Sequence, residues 1–184
     1  GPSRTPCRWG RLGLGRGLDL ALPYLLLAPG VLTVLCVLVY PLWDGLRAST
    51  KLYRYGKPVA ENVARCPRTM EALAGLPLTA IPNRAPNILF SLLTPGQRIE
   101  PHNGFLNCRL IGHLPLLTPP GCGLRVGNET RYWERGKAWV FDDSIDHEAW
   151  NDSDQTRVIL LFEIWRPELS AQERTMVHAM FSAI

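Results

Sequence analysis

The fold class is decided by residues 109–165, which read RLIGHLPLLTPPGCGLRVGNETRYWERGKAWVFDDSIDHEAWNDSDQTRVILLFEIW. Short apolar runs with a period of two alternate in this stretch with turns rich in Pro, Gly, Asn and Asp, which is the pattern of β-strands. Strands are predicted at 109–117, 122–127, 129–133, 137–142 and 157–165, with one more upstream at 87–93. Many short strands joined by turns predict a mostly β fold, as a sandwich, a jelly roll or a small barrel.

Two helices are predicted to flank these strands. Residues 66–76 (CPRTMEALAGL) predict a short helix with three apolar side chains toward a core: Met70, Leu73 and Leu76. Near the C-terminus, Ser170 and Glu173 form a capping-box pattern that is followed by an apolar stripe. The stripe consists of Met176, Val177, Met180 and Phe181. We expect this terminal helix to pack against the sheet.

The N-terminal segment has a different composition. Residues 20–43 are apolar without a single charge, and the run is long enough to cross a bilayer. A signal peptide and a buried helix are the alternatives, but the run exceeds a signal peptide's apolar region and ends in Tyr-Pro-Leu-Trp-Asp rather than a small-x-small cleavage site. We therefore predict a basic tail at 1–19, a transmembrane helix at 20–43, a linker at 44–59 and a folded domain at 60–184.

Charge and cysteine content narrow the class of protein. Arginines and lysines flank the apolar run on both sides, so the positive-inside rule does not orient the single membrane span; we expect the domain to be cytoplasmic. The formal charge of +4 comes largely from the N-terminal tail. It does not form the basic, aromatic-rich surface of a nucleic-acid-binding protein. The five cysteines include no C-x-x-C pair and describe neither a disulfide framework nor a zinc ribbon.

Three of the four histidines, His102, His113 and His147, fall within the strand-rich region. Neutral imidazole is the commonest protein ligand of transition metals, so histidines on neighbouring strands could hold Fe, Zn, Mn or Ni. The alternative is that each is a hydrogen-bonded structural residue. Period-two alternation places Arg109 and His113 on one strand face together with Ile111, which argues against a plain solvent face.

Arg157 opens the strand RVILLFEIW, which is apolar on both faces and therefore predicted to be buried. An arginine at the start of a buried strand needs an anionic partner, and a guanidinium can bind a carboxylate in bidentate geometry. The carboxylate could belong to a ligand. It could equally belong to a nearby acidic residue, of which there are four: Asp142, Asp143, Asp146 and Glu148.

Three segments carry a more specific signal: PHNGFLNCRLIGHLPL (101–116), CGLRVGNETRYWERGKAWVFDDSIDHEAWN (122–151) and RVILLFEIWRPEL (157–169). Together they resemble the successive core motifs of the aspartyl/asparaginyl β-hydroxylase family. The resemblance implies a double-stranded β-helix, the cupin-like jelly roll, that uses Fe(II), 2-oxoglutarate and O2. The segment PYLLLAPGVLTVLCVLVYPLWDGLRAS (23–49) resembles instead the first membrane helix of sugar-type ABC transporter permeases, so the chain could be a fusion.

The resemblance also implies roles for individual residues. His102 and His147 correspond to the family's two iron ligands, and Gly104 stands where most such oxygenases carry a ligating carboxylate, an absence typical of this family. The residues that match its 2-oxoglutarate contacts are Arg157, Ser91 and His113, and Arg109 matches a substrate-binding arginine. A second arginine of the mammalian-type motif is replaced by Ile111, which weakens the inference of an acidic peptide substrate.

These residues predict a membrane-anchored dioxygenase that hydroxylates an aspartyl or asparaginyl side chain of a peptide or protein. A lipid A-type acyl-chain hydroxylase is the enzymatic alternative, because such enzymes resemble the same family and carry membrane segments. A cupin-like binding module or a truncated remnant without turnover is the non-enzymatic one. A zinc hydrolase would be favoured only if His102, His113 and His147 all bound one ion.

Overall fold

The computed structural model describes residues 50–183. The predicted tail at 1–19 and transmembrane helix at 20–43 therefore lie outside the described residues, and none of the helices within 50–183 is long and apolar enough to span a bilayer. The strands are β1 (Thr50–Arg54), β2 (Lys57–Pro58), β3 (Ile88–Leu93), β4 (Arg98–His102), β5 (Arg109–Leu117), β6 (Cys122–Val126), β7 (Glu129–Tyr132), β8 (Trp139–Phe141), β9 (His147–Asn151) and β10 (Arg157–Trp165). The helices are α1 (Ala60–Arg65), α2 (Pro67–Leu73) and α3 (Ala171–Ser182).

The strands form two antiparallel sheets. A six-stranded sheet has the order β2-β1-β3-β10-β5-β8, and a four-stranded sheet has the order β4-β9-β6-β7. Apolar residues from β5, β8 and β10 share one buried cluster with residues of β6 and β9, so the two sheets pack face to face. The prediction of a mostly β fold is confirmed.

The central strands of the six-stranded sheet are buried on both faces, because helices cover one face and the four-stranded sheet covers the other. Along β10, Leu160 and Phe162 point into the cluster on the helical side, whereas Ile159 points into the cluster between the sheets. Alternation puts Arg157 and Glu163 on the face of Ile159. Polar residues of β10 therefore enter the space between the sheets, where a site can form.

Several boundaries differ from the sequence prediction. Residues 50–58, predicted to belong to the 44–59 linker, instead form β1 and β2 at one edge of the six-stranded sheet. Strands β4 and β9 were not predicted. Every residue of β4 is exposed and Pro101 interrupts it, so it has no apolar alternation to detect. Strand β9 has alternating burial, but over only five residues.

The helices agree more closely with the sequence prediction than these strands do. Helix α2 lies within the predicted range 66–76 and buries Leu73, but α1 before it was not predicted. Helix α3 begins at the predicted capping box, since Ser170 accepts from the backbone N–H of Glu173 and the Glu173 carboxylate accepts in return. Half of its predicted stripe packs against the end of β10, namely Val177 and Phe181. The other half, Met176 and Met180, is exposed (62% and 56%).

Candidate active site

Two histidines lie side by side in the four-stranded sheet. His102 at the end of β4 is directly opposite His147 at the start of β9, and their ring centroids are 4.2 Å apart. His102 is exposed, whereas His147 is buried toward the other sheet. The pair therefore stands where the space between the sheets meets solvent.

Backbone carbonyls select the tautomer of both imidazole rings in their neutral form. Nδ1 of His102 lies 2.8 Å from the carbonyl oxygen of Glu100, and Nδ1 of His147 lies 2.9 Å from that of Ile145. A carbonyl can only accept, so in the neutral rings Nδ1 carries the proton and Nε2 keeps a lone pair. Burial and the neighbouring His102 lower the pKa of His147, which favours its neutral form. Neutral imidazoles oriented by backbone carbonyls are the form that binds transition metals.

The second part of the site surrounds Arg157, whose side chain is 1% exposed. Its Nη1 donates to the Ser91 hydroxyl at 3.3 Å, and its guanidinium carbon lies 5.0 Å from the centroid of the Trp133 ring. Nε and Nη2 are buried without a hydrogen-bond partner among residues 50–183. Desolvation lowers the pKa of Arg157 to about 10, so the guanidinium is charged at neutral pH.

His113 joins the two parts of the site. Burial and the positive charge of Arg157 hold its pKa well below the ordinary value, so the ring is neutral. The Phe141 ring lies between His113 and His147, with centroid distances of 5.1 Å and 5.2 Å. The arginine pocket and the histidine pair are therefore neighbours across one aromatic ring.

The four carboxylates considered as partners of Arg157 all pair with other arginines. Asp142 bonds to Arg166, and Asp143 lies 3.0 Å from Arg109. Asp146 and Glu148 lie 2.8 Å and 2.5 Å from Arg125. The internal ion-pair alternative for Arg157 is therefore wrong within the described chain. None of these carboxylates orients His147, because the Ile145 carbonyl does so.

Arg109 lies in a buried cluster with two carboxylates. Its guanidinium is 3.0 Å from Asp143 and 3.6 Å from Glu163, and all three side chains are buried. Burial raises the pKa of both carboxyl groups, and the arginine opposes that shift. The structure thus engages Arg109 internally, and its role in substrate binding stays a prediction.

Comparison with known proteins assigns the family. The profile of the family described as Aspartyl/Asparaginyl beta-hydroxylase matches residues 43–167, which is more than half of the chain. The chain belongs to the aspartyl/asparaginyl β-hydroxylase family. The matched range starts upstream of residue 60, in agreement with the observation that residues 50–58 are part of the sheet.

Two human hydroxylase relatives illustrate the similarity. The chain is 38% identical over 130 residues to human aspartyl/asparaginyl beta-hydroxylase, covering 70% of this chain and 17% of the relative. It is 37% identical over 134 residues to human aspartate beta-hydroxylase domain-containing protein 2, covering 71% and 36%. Among solved structures it is similar to a cupin domain of a transcriptional regulator from Enterobacter cloacae, with a TM-score of 0.38 and 11% identity over 44% of this chain and 81% of that one.

Gly104 is explained by the packing of the loops on either side of the histidine pair. A Cβ atom at this position would overlap the carboxylate of Asp143, so a side chain here would have to displace the carboxylate that pairs with Arg109. The Gly104 N–H also donates to the Asp143 carbonyl at 2.5 Å, and Asn103 donates to the Ser144 carbonyl at 3.0 Å. These bonds hold the loop after β4 against the loop before β9 and so keep His102 beside His147. Within residues 50–183, no group of three or more His, Cys, Asp or Glu forms a metal cluster.

Two residues of the candidate site were not singled out from the sequence. Trp133 contacts both His113 and Arg157, and Glu163 completes the cluster of Arg109. Glu163 had a detectable signal, since it is the only charge inside the apolar run of β10 and a buried charge requires a partner. Trp133 had no such signal, because a single tryptophan at the end of a strand is usually part of the hydrophobic core.

We predict that Arg109→Met destabilises the domain strongly at pH 7. Removing the arginine leaves Asp143 and Glu163 buried without their cation, which costs about 3–5 kcal/mol of unfolding free energy. Both pKa values are raised in the folded state, so lowering the pH from 7 to 5 moves these groups toward their neutral form in the folded variant and recovers part of the loss. Urea unfolding at the two pH values measures this.

The control is Arg98→Met, because Arg98 forms an ion pair with Asp152 in which both side chains are 51% exposed. Such pairs contribute little to stability. Equal stability of the Arg109→Met and Arg98→Met variants at pH 7 would contradict a structural role of the buried cluster.

Proposed function

We propose that this chain is an Fe(II)- and 2-oxoglutarate-dependent dioxygenase that hydroxylates an aspartyl or asparaginyl side chain of a peptide or protein. Family membership supports the hydroxylase class. The chain spans only 17% and 36% of the two human relatives, so the activity of the whole relatives remains part of the proposal for this chain.

One observation carries the proposal: Arg157 is buried and charged, and no carboxylate within residues 50–183 pairs with it. Burying a charge without a counter-ion is costly, so such a site is typical of a pocket whose anion comes from a ligand. Nε and Nη2 offer two donors, which suits the bidentate geometry of a carboxylate. The distal carboxylate of 2-oxoglutarate fits this chemistry.

The metal would be held by His102 and His147. Their backbone-oriented rings leave Nε2 as the donor atom, and imidazole is a suitable ligand for Fe(II). When bound, the iron with 2-oxoglutarate and O2 supplies the oxidising power that converts the co-substrate to succinate and CO2 and hydroxylates a C–H bond.

The protein's own groups bind, orient and exclude water. Arg157 and Ser91 bind one end of the co-substrate, while neutral His113 presents a hydrogen-bond donor to its other end. Phe141 and Ile159 belong to the apolar cluster between the sheets, and the exclusion of water there strengthens each polar contact with the ligand. The peptide would approach from the side of exposed His102. Arg109 is proposed only as a substrate-orienting residue, and membrane attachment through 20–43 as the setting of the enzyme.

Turnover of the purified full chain tests the proposal. With Fe(II), 2-oxoglutarate and O2 we expect slow succinate formation alone and faster formation with an Asp- or Asn-containing peptide. A peptide with Ala at that position is the matched control, and a lipid A precursor is the test of the acyl-chain alternative. A folded protein that forms no succinate under any of these conditions would contradict the proposal and support a binding module.

A further inference from the structure

Trp133 is the residue that contacts both groups of the proposed co-substrate pocket. It follows β7 directly, and its side chain is buried in the cluster between the sheets. The indole Nε1 lies 3.4 Å from Nδ1 of His113, and the Arg157 guanidinium lies over the ring. Neither His113 nor Arg157 is on the same strand as Trp133, so the indole joins groups that β5 and β10 present separately.

The hydrogen bond selects one tautomer of His113. An indole N–H can only donate, so Nδ1 of His113 must accept and cannot carry a proton. The ring is neutral, and its one proton is therefore on Nε2. A carboxylate oxygen near this histidine then meets a donor at Nε2. In the other tautomer it would meet a lone pair and be repelled.

The ring face acts on Arg157. Tryptophan is the strongest cation–π partner among the aromatic side chains, and the attraction increases when the cation is desolvated. Nη1 donates to Ser91, and the indole contacts the guanidinium through its ring face. Nε and Nη2 therefore keep their hydrogen-bond donors free among residues 50–183. The cation–π contact also offsets part of the cost of burying Arg157 without a carboxylate.

We propose that Trp133 is a positioning residue of the co-substrate pocket, which sets the His113 tautomer through its N–H and the orientation of the Arg157 guanidinium through its ring. This inference rests on the proposed function. It assigns to Trp133 no contact with the reacting atoms, since it acts through two other side chains. The pocket then presents N–H donors at Nε2 of His113 and at Nε and Nη2 of Arg157.

The test compares three variants of the full chain. Trp133→Phe keeps a ring under the guanidinium and removes the N–H, whereas Trp133→Leu removes both. Trp139→Phe is the matched control, because the Trp139 ring lies 5.4 Å from His113 and stacks on Trp133 in the same cluster. Thermal unfolding establishes that each variant is folded.

The tautomer of His113 is read in the ligand-free protein from its imidazole 15N chemical shifts. We expect the Nε2–H form in the wild type and in Trp139→Phe, and a mixture of tautomers in both Trp133 variants. Affinity for 2-oxoglutarate is measured by calorimetry with Mn(II). We expect about fivefold to tenfold weaker binding for Trp133→Phe and a further loss for Trp133→Leu.

Unchanged tautomer and unchanged affinity in Trp133→Phe, with the wild type binding normally, would overturn the positioning role alone. A wild type that binds no 2-oxoglutarate would overturn the proposed function and this inference together. Equal loss of affinity in Trp133→Phe and Trp139→Phe would assign the effect to general packing and would also overturn it.

Discussion

Arg157→Met is expected to weaken 2-oxoglutarate binding at least about thirtyfold, because truncating one partner of a buried charge pair costs about 2–5 kcal/mol. The same variant is expected to unfold at a higher temperature in the absence of ligand. Methionine fills the volume of the side chain and removes a guanidinium that is buried without a carboxylate partner in the described chain. Replacing such a charge by an apolar residue stabilises by about 1–2 kcal/mol.

Calorimetry and thermal unfolding measure these two effects. Arg125→Met is the matched control. It also replaces one arginine by methionine, but the guanidinium it removes already pairs with Asp146 and Glu148. We expect Arg125→Met to leave 2-oxoglutarate binding intact and not to raise the unfolding temperature. Retained binding together with lost stability in Arg157→Met would show that Arg157 is a structural residue.

His102→Ala and His147→Ala are each expected to lower Fe(II) affinity more than a hundredfold, beyond the 10- to 100-fold effect of residues outside the coordination sphere. His113→Ala is expected to retain the metal, because Nδ1 of His113 accepts from Trp133 and its ring is separated from His147 by Phe141. Anaerobic equilibrium dialysis followed by metal analysis measures the difference.

Equal metal loss in all three histidine variants would contradict this division of roles. It would indicate a site built from three histidines, which is the arrangement expected of a zinc hydrolase. Thermal unfolding in the absence of metal serves as the control, since the exposed His102 contributes little to packing.

The sequence predicted best where strands are long and largely apolar. The buried strand β10 and the sheet partner β5 have long apolar patterns, and both were predicted with their observed boundaries. Alternation also placed Arg109 and His113 on one face, which the structure shows to be the face between the sheets. These are local properties of single strands, so a single sequence contains them.

Properties that depend on two distant segments were not accessible from strand patterning, and the sequence indicated the histidine pair only through the family resemblance. The pairing of His102 with His147 requires β4, an exposed edge strand whose residues have no apolar alternation. The choice of carboxylate for each arginine depends on tertiary packing, because Arg109, Arg125 and Arg166 compete for the acidic residues near β9. Within residues 50–183 these pairings leave no carboxylate for Arg157.

Calorimetric titration of 2-oxoglutarate into the full chain, with and without Mn(II) in place of iron, tests whether the histidine pair and Arg157 form one site. We predict saturable binding of one 2-oxoglutarate per chain with the metal and much weaker binding without it. A folded protein that shows no saturable binding in the presence of Mn(II), or binds equally in its absence, would contradict the assignment of the histidine pair and Arg157 to one metal and co-substrate site.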